Sequence, residues 1–395
     1  MRPVGTLLDA LAALAASALL LGCMQTPPPL PTELAQAQQH EGTPAVAVQE
    51  YGELYQRCQR GTATGLVQRK DDCGTVAFRF AQSLERAERY AEAAAVFGAL
   101  PALSRDRVKI ARAQVRAAEL QADHLGDREQ ALKTCRQVIA QVPAEVPAED
   151  ALRLLVRLQT EDAARETSLD PKAAPREPSL DREAALRAEL DRLAAELRPY
   201  ETIASFALLY GGQAAERRGR PDEALARYDE IWKRYPRGPL FDDALFTAAQ
   251  LLRKLGRSGE AAERLARLAQ AYTSAVLVGH YHQERLIESM FLLGQVYLRE
   301  LNRPDQAITT LQQLLVRQPS SRLADDALLL MAEAALRLQP AARPRACGYL
   351  ARLFRDYPDS NHQRAAQALQ RDQQCPSDRP LEGPAGRPLG RPLSR

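Results

Sequence analysis

The feature that most constrains this chain is a short pattern that returns along its length. Ala93, Ala131, Ala224, Ala261, Ala307 and Ala346 are each followed four residues later by a bulkier residue, namely Phe97, Cys135, Tyr228, Leu265, Leu311 and Leu350. Three residues further on stand Leu100, Val138, Ile231, Leu268, Leu314 and Leu353. Any amphipathic helix can show that spacing. An isolated helix does not add a proline twelve residues after the alanine, as Pro143, Pro236, Pro319 and Pro358 do here. The intervals between successive alanines are 38, 93, 37, 46 and 39, so only one gap is long enough to hold something else. A period in this range belongs to stacked units that cannot bury their apolar faces alone.

Upstream of each alanine lies a second amphipathic stretch ending in a turn. Gly219-Arg220-Pro221-Asp222-Glu223-Ala224 and Asn302-Arg303-Pro304-Asp305-Gln306-Ala307 place Gly or Asn where a left-handed cap is needed, then Pro and acidic residues in the next first turn. Gly256-Arg257-Ser258-Gly259-Glu260-Ala261 does the same without Pro. The unit reads as helix, tight turn, helix, Pro-marked exit. Ala, Leu, Arg, Glu and Gln dominate while strand formers are sparse, so the expected class is all-α.

This unit resembles the tetratricopeptide repeat, whose two helices meet through small residues and end at Pro. Gly212, Ala215, Gly219, Ala224, Tyr228 and Pro236 match its spacing, and Gly294, Tyr297, Ala307 and Pro319 match after one inserted residue. The resemblance covers about residues 75 to 370. It implies a helical-hairpin solenoid of about six repeats wound as a right-handed superhelix, with Gly212 set against Ala224 at a close helix approach. The junctions Tyr235-Pro236-Arg237-Gly238 with Asp242-Asp243-Ala244-Leu245, Gln318-Pro319-Ser320-Ser321 with Asp325-Asp326-Ala327-Leu328, and Tyr357-Pro358-Asp359-Ser360 are similar to repeats of periplasmic envelope proteins. The β-barrel assembly lipoprotein and the Tol-Pal coordinating protein carry repeats of that style.

The N-terminus points the same way. Arg2, an apolar run from Leu11 to Leu21 too short to span a bilayer, and Leu20-Leu21-Gly22-Cys23 resemble a bacterial lipoprotein signal, residues 1–22. That resemblance makes Cys23 the lipidated mature N-terminus. Met24 rather than Asp follows it, which implies the outer membrane, with the chain facing the periplasm. An ordinary secretory signal or a buried N-terminal helix is the alternative. Several acyl chains at about 0.8 kcal/mol per methylene anchor a protein without a transmembrane helix. Residues 23–49, Pro-rich at first and polar after, are expected to be a tether. Of the remaining cysteines, Cys58 with Cys73 and Cys347 with Cys375 are disulfide candidates suited to an oxidising compartment, and the first loop is worth about 3 kcal/mol. Cys135 falls on a buried repeat position.

N-terminal repeats are expected over 50–166, a Pro-interrupted linker over 167–179, further repeats over 180–374 and a disordered Pro-, Gly- and Arg-rich tail over 375–395. In the long gap, Val146 to about Glu166 and Leu180 to Leu197 read as helices. Leu186, Leu190, Leu193 and Leu197 form a stripe that suits packing or self-association. The net charge of +3 is small beside 53 basic and 50 acidic residues of interleaved sign, which argues against a nucleic-acid partner.

No phosphate loop, nucleophile elbow or zinc spacing is present, and no cofactor or metal is expected. His280 and His282 with Glu284 offer a metal-dependent hydrolase as one alternative, and a peptidoglycan-associated structural role is another. The family resemblance implies that the first helices of successive units line a groove. Its positions here are Leu209 and Gln213, Phe246 and Gln250, Phe291 and Gln295, and Leu329 and Glu333. One apolar and one amide or acid residue at equivalent positions suits an extended peptide or another envelope protein. The alternative is that Phe246 and Phe291 only pack between helices. The expected function is a non-catalytic, membrane-anchored scaffold or adaptor of an envelope complex.

Overall fold

The computed structural model describes residues 32–61, 70–168, 177–274, 283–338 and 342–376, and every long regular element among them is a helix. The chain divides between Ser179 and Leu180 into two compact units. The first holds α1 (Thr32–Gln39), α2 (Pro44–Gln59), α3 (Lys70–Arg86), α4 (Tyr90–Gly98), α5 (Arg107–Asp123), α6 (Arg128–Gln141) and α7 (Val146–Ser168). The second is built from α8 (Glu177–Glu196), α9 (Glu201–Arg217), α10 (Pro221–Arg234), α11 (Phe241–Lys254) and α12 (Ser258–Ser274). It continues through α13 (Gln283–Gln295), α14 (Pro304–Arg317), α15 (Ala324–Leu338), α16 (Arg343–Asp356) and α17 (Gln363–Asp372). Within the first unit, and from α9 onward in the second, successive helices pack against one another in a tetratricopeptide-like helical repeat solenoid.

The recurring alanine explains why these helices stack. Ala93, Ala131, Ala224, Ala261, Ala307 and Ala346 are all fully buried on the second helices of their hairpins, and so are the residues four and seven positions later. The hairpin turns repeat as well. Five positions before the alanine, Glu88, Gly126, Gly219, Gly256 and Asn302 all have φ between 50° and 73°. The amide of the next residue then bonds a carbonyl in the last turn of the preceding helix, as in Arg220 N–H to Ala215 at 2.9 Å and Arg257 N–H to Leu252 at 2.8 Å. This is the Schellman closure, which satisfies carbonyls the helix end leaves open. Glu88 accepts at this site the strain that Gly avoids.

The extra residue in the fifth unit has a definite place: a π turn over Val296–Glu300 at the end of α13 absorbs it. The small residue at position 212 serves a different neighbour from the one expected. A Cβ on Gly212 would crowd the ring of Tyr228, at 2.9 Å from Cδ1, and one on Gly294 would stand 2.8 Å from Leu311 Cγ. The small residue thus makes room first for the bulky residue four positions after Ala224.

The expected tether is shorter than 23–49, because α1 and α2 occupy its second half and bury Leu34, Ala37 and Ala47. Gly42, Pro44, Ala47, Tyr51 and Leu54 repeat the residue register of the later hairpins, although Gly42 does not take the positive φ of their turns. Of the expected linker, α7 extends to Ser168 and α8 begins at Glu177, and residues 169–176 lie outside the described residues. The signal, Cys23 and residues 377–395 of the tail also lie outside them.

Two disulfides close loops at the two ends. Cys58 bonds Cys73 with Cα atoms 5.6 Å apart, and Cys347 bonds Cys375 with Cα atoms 5.4 Å apart, fastening the end of α17 to α16. Cys135 is a buried free thiol pushed up to about 12 by burial. Of the Leu stripe on α8, Leu186, Leu190 and Leu193 are buried.

Candidate functional site

The surface formed by the first helices of the second unit, α9, α11, α13 and α15, carries the groove positions. Their order follows from the repeat: each first helix turns its small and apolar residues toward its own second helix and leaves one edge to its neighbours. The structure separates the eight positions. Leu209 at 8% and Phe246 at 9% exposure are covered, so these two are packing residues and not open anchors. Phe291 and Leu329 are half-buried against the core cluster of the last repeats, with one edge accessible. Gln250 is exposed, while Gln213, Gln295 and Glu333 are half-buried.

Phe246 is covered for a reason the sequence pattern did not carry. The Arg285 guanidinium lies 4.7 Å from the centre of its ring, a cation–π contact, and bonds Asp243 at 3.0 Å. Arg285 also approaches Glu288 at 3.5 Å, and Glu288 pairs with Arg322. A line of alternating charges thus links the starts of α11, α13 and α15. Such exposed pairs are worth at most about 1 kcal/mol each, so their effect is to fix side-chain positions. Arg299 lies 3.7 Å from Glu333, which leaves that carboxylate partly engaged.

The paired acids of the junctions have two distinct roles. Asp242 is buried, and burial followed by the repulsion of Asp243 pushes its carboxyl above the usual range. In the same register, Asp325 accepts from the Ser360 hydroxyl at 2.6 Å and Asp326 contacts His362 Nε2 at 2.7 Å. Burial raises Asp326 as well, against the pull of His362. Asp325 and Asp326 thus tie the start of α15 to the junction that follows α16. The junction tyrosines do likewise: the Tyr235 hydroxyl donates to the Arg198 carbonyl at 3.0 Å, and that of Tyr357 to the Pro319 carbonyl.

The second helices present a different surface, missed in the sequence. Trp232 on α10 stands half-buried beside a depression of about 480 Å³ with Pro236, Phe241 and Arg267. Its lone signal was that it is the chain's one tryptophan, placed one residue after a core position.

Among the described residues no group of three His, Cys, Asp or Glu side chains is placed to hold a metal, and no helix is long and apolar enough to cross a membrane. His280, His282 and the Glu284 side chain lie outside the described residues.

Comparison with known proteins agrees with this geometry. The family model of the tetratricopeptide repeat matches residues 112–144, 206–237, 288–321 and 326–360. No curated protein matches the chain. Among solved structures, the chain is similar to a signal-transduction ATPase with a tetratricopeptide repeat sensor from Pyrococcus horikoshii at 13% identity and a TM-score of 0.42, over 85% of this chain and 48% of that one. It thus spans about half the length of that protein. The C-terminal part of a repeat-containing protein from Cytophaga hutchinsonii gives 13% identity and a TM-score of 0.40, over 74% of this chain and 98% of that one. PilW, described as a type IV pilus biogenesis factor, gives 18% identity and a TM-score of 0.33, over 65% and 98%.

Proposed function

Because the chain carries tetratricopeptide repeats, whose fold serves as a protein-binding scaffold, we propose that it is an adaptor of the cell envelope. In this reading Cys23 is lipidated and anchors it to the outer membrane from the periplasmic side, and its partners are other envelope proteins or their extended segments. Two disulfides suit an oxidising compartment. The lipobox-like Leu20-Leu21-Gly22-Cys23 suits the anchor.

The observation that carries the binding role is the pair of half-buried apolar edges, Phe291 and Leu329, each with a polar Gln295 or Glu333 one turn on. An extended partner seats a side chain against each edge and bonds its backbone to the amide or acid. Among interface residues, a few partly covered apolar anchors carry most of the energy, and truncating one costs about 2 kcal/mol or more.

The test is partner capture from solubilised envelopes by the full chain. Phe291→Ala with Leu329→Ala is expected to weaken capture by more than about tenfold with helical content intact. Undiminished capture by that double variant refutes the assignment of the surface. Separately, Cys23→Ser is expected to move the chain from the membrane to the soluble fraction, and retention at the membrane refutes the anchor.

A further inference from the structure

The surroundings of Trp232 hold more positive charge than the fold needs. Its indole N–H donates to Asp229 at 2.8 Å. Arg264 bonds the same carboxylate at 2.8 Å and Lys233 at 3.2 Å, while Glu263 lies 3.9 Å from Arg264. Burial would raise Asp229, but the indole and the two cations hold it below the usual range, so it remains a fixed anion. Around the same ring stand three cations: Arg267 at 4.5 Å from its centre, Lys233 at 5.2 Å and Arg264 at 5.7 Å. Asp229 accounts for Lys233 and Arg264. Among the described residues Arg267 lies over the indole with no carboxylate within ion-pair distance, and it lines the depression.

The depression itself is lined by both apolar and polar groups. Phe241, at 8% exposure, Pro236 and the indole supply the apolar part of the lining, and Lys233, Arg267 and Gln270 the polar part. A volume of about 480 Å³ admits one large side chain with a neighbouring group. The apolar part selects a hydrophobic or aromatic anchor. The unpaired guanidinium, held over the indole, selects a carboxylate beside it.

From this charge complementarity the geometry points to a second docking site on the second-helix surface, taking a protein segment in which an acidic residue adjoins an aromatic one. The assignment rests on the scaffold reading above but uses none of the eight groove positions. A partner engaged at both places gains avidity without further contacts.

Trp232 is the chain's one tryptophan, so its fluorescence reports the site directly. The full chain is titrated with the acetylated, amidated peptide Ser-Asp-Phe-Asp-Ser, with Ser-Lys-Phe-Lys-Ser and Ser-Asp-Ala-Asp-Ser as counterparts, and with oligothymidylate. The acidic aromatic peptide is expected to change the emission saturably, and each counterpart to bind at least about tenfold more weakly. Arg267→Glu is expected to weaken the acidic peptide by at least about tenfold, the effect of losing a charge-assisted hydrogen bond. Arg267→Lys should restore part of it. Phe291→Ala should leave the titration unchanged. The proposal is overturned if the acidic peptide gives no saturable change, if the lysine peptide or oligothymidylate binds as well, or if Arg267→Glu has no effect. If Phe291→Ala alone abolishes the response, the peptide binds the first-helix face and only that reading survives.

Discussion

A single methyl group at position 212 tests the packing rule of the repeat. An ideal Cβ there lies within 3.0 Å of three ring atoms of Tyr228, whose side chain is fully buried. The ring has no solvent to swing into, so Gly212→Ala falls toward the upper part of the 1–3 kcal/mol range for overpacking. Replacing a mid-helix glycine by alanine returns about 1 kcal/mol of helix propensity, so the net loss is about 1–2 kcal/mol. The same substitution at Gly259, in the first turn of α12 with nothing within 4 Å, should carry no packing cost. The partner also matters. In the register of Gly212 and Tyr228, other hairpins hold Ala249 with Leu265 and Ala334 with Leu350, all fully buried. Gly212→Ala combined with Tyr228→Leu should therefore be more stable than the sum of the two single losses, by about 1 kcal/mol or more of coupling. Urea unfolding followed by circular dichroism measures all four proteins. Thermal shifts of about 2–4 °C per kcal/mol give a check. If Gly212→Ala is as stable as the parent, or the two substitutions simply add, the close approach to Tyr228 does not set the hairpin geometry.

Four further outcomes follow. Reducing Cys347–Cys375, whose loop spans 28 residues, should lower stability by about 3–4 kcal/mol in the loop-entropy account, with α17 the first helix to lose amide protection in hydrogen exchange. Cys135, buried and raised to about 12, should resist alkylation in the folded chain and react only after denaturation. Asp242 has a raised carboxyl, so its contribution is fully present below its unfolded pKa and lost as pH rises through the folded one. Asp242→Asn should thus be at least as stable as the parent at neutral pH, with the difference shrinking toward acid in denaturation curves taken across that window. Asp229 shows the opposite sign: its support is present above the unfolded carboxylate value and fades as pH falls through the lowered one, so Asp229→Asn should cost about 1–3 kcal/mol at neutral pH.

Much of the fold was legible because the repeat writes its contacts locally. Ala224, Tyr228 and Ile231 lie on one helix face, and Gly219 marks the one backbone site where a left-handed residue closes the turn. What escaped reading has a physical reason in each case. Ala47, Tyr51 and Leu54 carry the same register as Ala93, Phe97 and Leu100, but the expected boundary at residue 49 left Ala47 in the tether and cut this unit in two. Gly212 was visible as a small residue, while its neighbour depends on the rotation of two helices about their axes, which spacing does not encode. Phe246 is covered in part by a residue of a later helix, which its own spacing does not encode. That residue is Arg285, 39 residues beyond Phe246. The Trp232 depression is assembled from three helices and leaves almost no linear signature.

The proposed scaffold role requires a protein partner to sit on the first-helix face. A photo-crosslinking residue placed in turn at Phe291, at Leu329 and, as a reference, at Val316, which is 80% exposed on a second helix, measures this in living cells. Crosslinks to one shared envelope protein from positions 291 and 329, and none to it from 316, are expected. Equal crosslinking from position 316, or none from the other two, contradicts the account.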